Sequence, residues 1–502
     1  MKKFIVLSLV GLLVIAFGTM AFAQAKKPEP PKLDFRASGF IDAASIYYRN
    51  VSPTTAGIFG PPGAAFQPGG AQFDKVNSGM STRAHLKFDA VYGKETSGTI
   101  FFEMDSTRWG DTGGSGFTGG KAGKWGGDEV AVEIKNLFFD FAVPAYGLPF
   151  PQTVRVGLHP LSIRPRVFVY TDGTGVTLST KIDPATISLY WFKALEGKDA
   201  SADDVDVYGL HASAKVDKFT VGGYGLYYNM NTYPVSSATT LLYGVSPSNK
   251  ADFWWLGAYA DGKAGPVNLN FDFVYSYGEV ERRGAYPARP DVKYRGWSSR
   301  LAVDYPWEKF NFGFVGRYAT GADMKKTSAT GIPGTTDAYG LGTSSKKVGS
   351  YVVPPFSEQF AIAGDSVIVS TEWVRALTRM APFSTTDVYR GAWGGLWMAQ
   401  AYGSFKATPW YKVTLRGMYV GDTTKHGNTI GNARSAGRPR DDKSVGWEID
   451  LINEINIYRN LKWDIAFGYL FAGDALDYNV SGNVNKSPKD PYALTTRLVF
   501  SF

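Results

Sequence analysis

Polar and apolar residues alternate with a period of two through most of the chain. From 82 to 92, Arg83, His85, Lys87 and Asp89 fall on one side, and Ala84, Leu86, Phe88, Ala90 and Tyr92 on the other. From 267 to 277, Asn268, Asn270, Asp272 and Ser276 oppose Leu269, Phe271, Phe273, Tyr275 and Tyr277. From 445 to 457, Glu448, Asp450, Glu454 and Asn456 oppose Trp447, Ile449, Leu451, Ile455 and Ile457. The last twelve residues do the same: Tyr492, Leu494, Leu498, Phe500 and Phe502 share a face with Thr496, while Ala493, Thr495, Arg497, Val499 and Ser501 share the other. A period of two belongs to strands. One apolar face and one charged face suit a wall between lipid and water.

The pattern predicts eighteen strands, at about 34–48, 82–92, 99–107, 130–141, 153–159, 173–182, 186–194, 204–216, 219–228, 252–260, 267–277, 294–305, 310–319, 396–407, 412–420, 445–457, 461–471 and 491–502. In strand 4, Glu133 and Lys135 point inward, but strict alternation sends Asn136 and Asp140 to the lipid face. A bulge or an early exit from the membrane is expected there. Connections after even-numbered strands are short, except after strand 4; those after odd-numbered strands are mostly long, polar and Gly-rich. That sorting predicts an all-β transmembrane antiparallel barrel with short periplasmic turns and long extracellular loops. A sandwich has no reason to sort its loops.

Composition narrows the class. Lys2 and Lys3, an apolar run from Phe4 to Phe17 and Ala21-Phe22-Ala23 read as a signal peptide over 1–23, followed by a periplasmic tail over 24–33 and the barrel over 34–502. The expected location is the outer membrane of a Gram-negative cell. The formal charge of +8 falls by two when Lys2 and Lys3 leave, so no nucleic-acid partner is implied. There is no Cys, and four His give little material for a metal site; no cofactor is expected. Aromatics make up 15% of residues, as interfacial girdles need. No second apolar segment reaches the roughly 20 residues of a spanning helix. No nucleophile–His constellation is visible, so an enzyme is not expected.

The function should then lie in the lumen. The inward basic residues are Arg36, Arg83, Lys87, Arg155, Lys215, Arg300, Arg317, Lys406, Arg416 and Arg497, with His85 among them. The inward acids are Asp42, Asp89, Glu103, Asp105, Glu133, Asp272, Asp304, Glu448, Asp450 and Glu454. The segment 160–172, joined to His159 and carrying Arg164, Arg166 and Tyr170, is the candidate constriction loop. Its guanidinium groups would either meet anionic solutes or pin the loop to inward acids such as Glu103 or Asp105. The long connection 320–392 is a candidate lid or plug, with a short amphipathic helix expected over 370–382.

Val132–Pro144 (VEIKNLFFDFAVP) followed by Val154–Leu161 (VRVGLHPL) resembles the paired-strand signature of alginate-export-like and related bacterial porins. So do Val445–Leu451 and Phe467–Asp474 (FGYLFAGD). The aromatic end of the last strand resembles the signal read by the barrel-assembly machinery. The resemblance implies a monomeric or trimeric eighteen-stranded channel for passive passage, in contact with outer-membrane lipid and small solutes. Its alginate exporters have a basic constriction, whereas the inward charges here are mixed. The expectation is a porin for hydrophilic, including anionic, small solutes. Polysaccharide export and a plugged structural or adhesion barrel are the rivals.

Overall fold

The computed structural model describes residues 32–50, 76–106, 109, 131–144, 150–165, 167–196, 204–233, 249–281, 291–326, 347–355, 357, 365–369, 394–481 and 484–502. Eighteen long strands form one antiparallel sheet. In chain order they are β1 (Leu33–Arg49), β2 (Val76–Tyr92), β3 (Thr96–Ser106), β4 (Ala131–Val143), β5 (Gln152–Ile163), β6 (Val169–Ile182), β7 (Ala185–Leu195), β8 (Val205–Val216) and β9 (Phe219–Tyr233). Then follow β10 (Asn249–Ala264), β11 (Val267–Glu281), β12 (Val292–Trp307), β13 (Phe310–Ala319), β14 (Leu396–Thr408), β15 (Tyr411–Asp422), β16 (Ser444–Tyr458), β17 (Leu461–Ala472) and β18 (Tyr492–Ser501). Each strand pairs with the next. The ring closes where β1 pairs antiparallel with β18, from Phe40↔Ser501 to Arg49↔Tyr492. The predicted strand count and order are those observed, and the first strand is paired to the last.

The turns follow from local chemistry. Asp217, Gly265 and Glu308 open two-residue turns with left-handed φ of 52°, 60° and 50°. Such turns match the twist of the flanking strands. The two faces sort as the alternation requires. Trp447 is 60% exposed and Glu448 fully buried, although they are neighbours. Exposed rings gather at both ends of the outer face: Tyr305, Trp307, Phe310 and Trp410 near the short turns, Tyr277, Trp297, Tyr318 and Trp447 near the long loops. Apolar surface in that band meets lipid, and rings at its borders meet headgroups.

The irregularity expected in β4 is a bulge. Phe101 pairs with Asn136, but Phe102 pairs with Ile134, so Lys135 is the extra residue. The inserted residue resets the alternation. Asn136 is buried and Asp140 binds inward Arg155, while Leu137 and Phe139 are about half exposed to the outside. Neither polar side chain faces lipid, which corrects the strict-alternation reading.

One part of the wall departs from the ring. β4 and β5 pair only from Leu137↔Leu158 to Val143↔Gln152, although β4 continues to Ala131 and β5 to Ile163. β6 meets β7 only from Thr174↔Lys193 onwards. The tip 159–173 is therefore a hairpin paired with itself. Gly157 makes the bend: its φ is +126°, and a Cβ there would lie 2.4 Å from the Leu137 carbonyl oxygen. Only glycine holds such a φ cheaply. Gly157→Ala is expected to cost about 1–3 kcal/mol, read as a lower temperature for the heat-induced mobility shift of the folded barrel on gels.

The hairpin tip leans inward. Leu161, Ile163, Phe168 and Val169 are all at most 1% exposed and join a core with Phe192, Val205, Leu226 and Tyr228 from β7 to β9. Phe168 stacks on Tyr224 at 4.6 Å. The segment predicted as a loop over 160–172 is thus mostly strand, 160–163 belonging to β5 and 169–172 to β6.

Candidate pore lining

The hairpin ends on Arg164, whose backbone takes a left-handed φ of 48°. Its guanidinium spans two carboxylates across the lumen. Nε donates to Asp272 Oδ1 at 2.5 Å and Nη2 to Asp272 Oδ2 at 2.8 Å. Nη1 and Nη2 donate to Asp261 at 2.5 and 2.9 Å. The group also lies 4.1 Å from the centre of the Tyr259 ring. This is the pinning arrangement, with β10 and β11 supplying the acids in place of Glu103 and Asp105. An Arg fork saturated in this way offers little to an anionic solute. Arg166 lies outside the described residues.

Pieces of the 320–392 connection fold inside as well. Lys347–Val348 runs parallel to Lys293–Tyr294 of β12. Trp255 donates its Nε1 hydrogen to the Val352 oxygen at 2.8 Å, and Tyr228 its hydroxyl to the Pro355 oxygen at 3.3 Å. Gly296 lets this backbone close in, since a Cβ there would sit 2.4 Å from the Tyr351 nitrogen. Further on, Asp365 takes Arg317 Nε at 2.7 Å and Arg300 Nη2 at 2.9 Å. Glu448 accepts the backbone N–H groups of Ile368 and Val369 at 2.7 and 3.0 Å and the Ser366 hydroxyl at 3.1 Å. Asp450 accepts the Val367 N–H at 3.2 Å. The expected helix over 370–382 lies outside the described residues.

The opposite wall carries a ladder of alternating charge. It starts beside the turn that opens β15, where Lys412 lies 2.6 Å from Glu454. Glu454 meets Lys462 at 3.2 Å, and Lys462 meets Asp464 at 2.9 Å. Asp464 stands opposite Arg497 in the register, and Arg497 binds Asp42 at 2.6 Å. Asp42 stands opposite Arg83 and accepts its backbone N–H at 3.0 Å. Arg83 lies 3.2 Å from Glu103, which also meets Lys135 at 3.4 Å. Lys135 reaches Asp172 on the hairpin at 3.1 Å, and Asn136 donates to the same carboxylate at 2.7 Å. The ladder climbs from the short-turn end at β15 to the long-loop half of β4 and the hairpin.

The other predicted lining residues are accounted for. His85 shares its Nε2 with Glu103 at 2.5 Å, between the rings of Phe40 and Phe101. Lys87 binds Asp89 at 2.9 Å. Arg155 forks onto Asp140 at 2.7 and 3.0 Å. His159 is buried, between the Gly157 oxygen and the Thr177 hydroxyl, both at 2.9 Å, and packs near Phe138 and Phe192. It serves the hairpin bend and is not open to the lumen. Arg317 is held by Asp365. Asp105 stands opposite Arg83 in the strand register, and its side chain lies outside the described residues. Sequence reasoning missed Asp365, which sits in a stretch with no period. It also passed over Lys462 and Asp464, whose spacing of two on β17 placed them on the inward face. Among the described residues no three His, Asp or Glu gather as a metal site.

At the long-loop rim, Asp323 accepts from His426 Nδ1 at 2.9 Å. Met324 donates its N–H to the Lys425 oxygen and Lys425 to the Ala322 oxygen, both at 2.9 Å. Burial alone would raise the Asp323 pKa, but the His426 hydrogen bond and the Lys325 N–H overcome it and hold the carboxyl below its usual value. A depressed pKa stabilises the contact above the ordinary carboxylate value and loses it as pH falls through the lower one. Protection of the Met324 and Lys425 amides against hydrogen exchange is expected to hold down to about pH 4 and fall below it. In Asp323→Asn the fall should be absent.

No family model matches the chain, and no curated protein matches it. Among solved structures, OccAB4 of Acinetobacter baumannii matches at 10% identity and a TM-score of 0.49, over 94% of this chain and 99% of that one. OccK8 (OprE) of Pseudomonas aeruginosa matches at 11% and 0.48, over 93% and 98%. The outer membrane protein opdK of Pseudomonas aeruginosa matches at 8% and 0.48, over 93% and 99%. Likenesses this distant carry nothing about solute. The geometry stands by itself: a closed ring, apolar outside and charged inside, is a membrane-spanning barrel of the outer-membrane type.

Proposed function

We propose that this chain is a passive channel for small hydrophilic solutes in a cell outer membrane. The observation that carries the reading is the charged ladder from Lys412 to Lys135, which gives the inside of a lipid-facing barrel a polar wall from the short-turn end into its long-loop half. The pore-lining set on this reading is Arg83, His85, Lys87, Arg155 and Glu103, with Arg164 and Arg317 holding the inward-folded segments that narrow the path. Residues 1–23 direct export, the residues from 24 up to the start of β1 at Leu33 serve as a periplasmic tail, and the last strand is read by the assembly machinery. The wall closes within one chain, so a monomer carries a full path and a homotrimer would repeat it.

Polysaccharide export of the alginate type asks for a basic constriction. Arg164, Arg300 and Arg317 each hold carboxylates here, which supports the small-solute reading instead. One observation favours a plugged structural barrel as the second reading: residues 347–355 and 365–369 fold inside. Conductance of the purified protein in a planar bilayer separates the two. Stable open steps are expected. A closed bilayer at every voltage would reject the channel and leave the plugged barrel.

A further inference from the structure

Resting on the channel reading, we propose that the ladder is a solute track selective for small zwitterions, that is, free amino acids and short peptides. Three features of the wall argue for this.

The first is sign. The ladder alternates in sign, Lys412, Glu454, Lys462, Asp464, Arg497 and Asp42 being its first half, and each charge touches or faces one of opposite sign, across strands except for Lys462 and Asp464 on β17. A wall of this kind has no net charge to attract a simple ion. An ion that binds one member must also strip that member from its partner, and a stripped charge away from bulk water is costly.

The second is spacing. Neighbouring strands are about 4.8 Å apart, and Lys462 and Asp464 stand two residues apart on β17, about 7 Å along it, so opposite charges follow one another roughly every 5–7 Å along the track. An ammonium and a carboxylate on one small molecule lie within a few ångströms of each other, and a dipeptide spans about 7 Å. Such a solute can lay its ammonium on a Glu or Asp and its carboxylate on the adjacent Lys or Arg. Both wall charges then keep a partner of opposite sign during the exchange. A neutral sugar replaces ionic contacts with weaker ones, and a plain anion or cation leaves one wall charge alone.

The third is access and direction. Lys412 and Lys462 keep 44% and 41% of their side-chain surface exposed, and Glu454 27%. Those three form the short-turn end of the track. Beyond them exposure falls: Arg497 keeps 26%, Arg83 and Lys135 17% and Glu103 10% of their side-chain surface, while Asp42 is covered and only links the two halves, so the open rungs lie at the short-turn end and a narrower set follows towards Lys135. The far wall contributes little competition, because Arg164, Arg300 and Arg317 are occupied by Asp261, Asp272 and Asp365.

Liposome swelling with the full-length mature protein tests it. Glycine and diglycine are compared with glycerol, a neutral sugar, acetate and methylammonium at matched osmolarity. The zwitterions are expected to enter several times faster than neutral solutes of the same size. The double variant Lys412→Gln, Glu454→Gln leaves Lys462 paired with Asp464 and should cut the zwitterion advantage at least by half relative to glycerol. A second double variant, Arg83→Gln with Glu103→Gln, repeats the test at the other end of the track, and the heat-induced mobility shift certifies that each barrel has folded. Equal entry of zwitterions and neutral solutes, or faster entry of acetate or methylammonium, would overturn the zwitterion track and leave the channel standing. No swelling with any solute would reject the channel, and the track with it.

Discussion

Replacing Glu448 with Ala is expected to release the inward-folded segment around Ser366–Val369. One carboxylate holds two backbone N–H groups and a hydroxyl there, and it is fully buried. Hydrogen bonds to a charged acceptor are worth about 1.5–3 kcal/mol each. The three share one acceptor and do not add in full, so about 4 kcal/mol of anchoring should be lost. Asp365 would still bind Arg300 and Arg317. With Asp450 still accepting the Val367 N–H, the segment is expected to loosen at Ile368 and Val369 rather than leave altogether. Single-channel records should show larger open steps with added flicker, and protease should cut within 366–369 in the folded barrel. Glu448→Gln keeps one acceptor oxygen and should fall between the two. Unchanged records with Glu448→Ala would mean that the segment is held elsewhere.

Arg164→Ala is the second large effect. Arg164 is the only described link between the hairpin turn and the acids of β10 and β11, and it leaves Asp272, which is fully buried, with a charge partner. Removing one partner of a buried pair costs about 3 kcal/mol. At tenfold per 1.4 kcal/mol, the detached hairpin becomes about a hundredfold more populated. The expected record has higher mean conductance and a shift toward cations, since Asp261 and Asp272 are left without the guanidinium. Arg164→Lys restores a charge but cannot fork onto two carboxylates, so it should recover the ion preference without recovering the closed level. A shift toward anions would contradict the pinned geometry.

The fold was legible because period-two alternation is written into every strand. A barrel must face lipid on one side and water on the other, and each strand repeats that demand. The irregularity in β4 was legible too, because Asn136 and Asp140 broke the pattern, but the sequence left a bulge and an early exit from the membrane open; the register decides for the bulge at Lys135. The lining was legible residue by residue but not as pairs. Arg164 was visible as a guanidinium on a candidate loop. That it reaches Asp261 and Asp272 depends on a bend at Gly157 and on how far a hairpin leans, which no local pattern encodes. Asp365 and Val367–Val369 were not legible at all. Their burial comes from the wall they land on, not from any period of their own.

Trp255 has two claims on it. Its indole N–H is taken by Val352, from the connection after β13, and its ring lies 6.5 Å from Phe168, at the hairpin turn. Two stretches nearly two hundred residues apart in the chain thus share one side chain. Loosening either removes part of the support of the other, so the two should behave as a single cooperative unit. A double-mutant cycle between Phe168→Ala and Trp255→Phe, which removes the indole N–H that Val352 accepts, would then show a coupling energy well away from zero. The width of the path would change in all-or-none steps rather than by degrees, with one indole setting the size of the step.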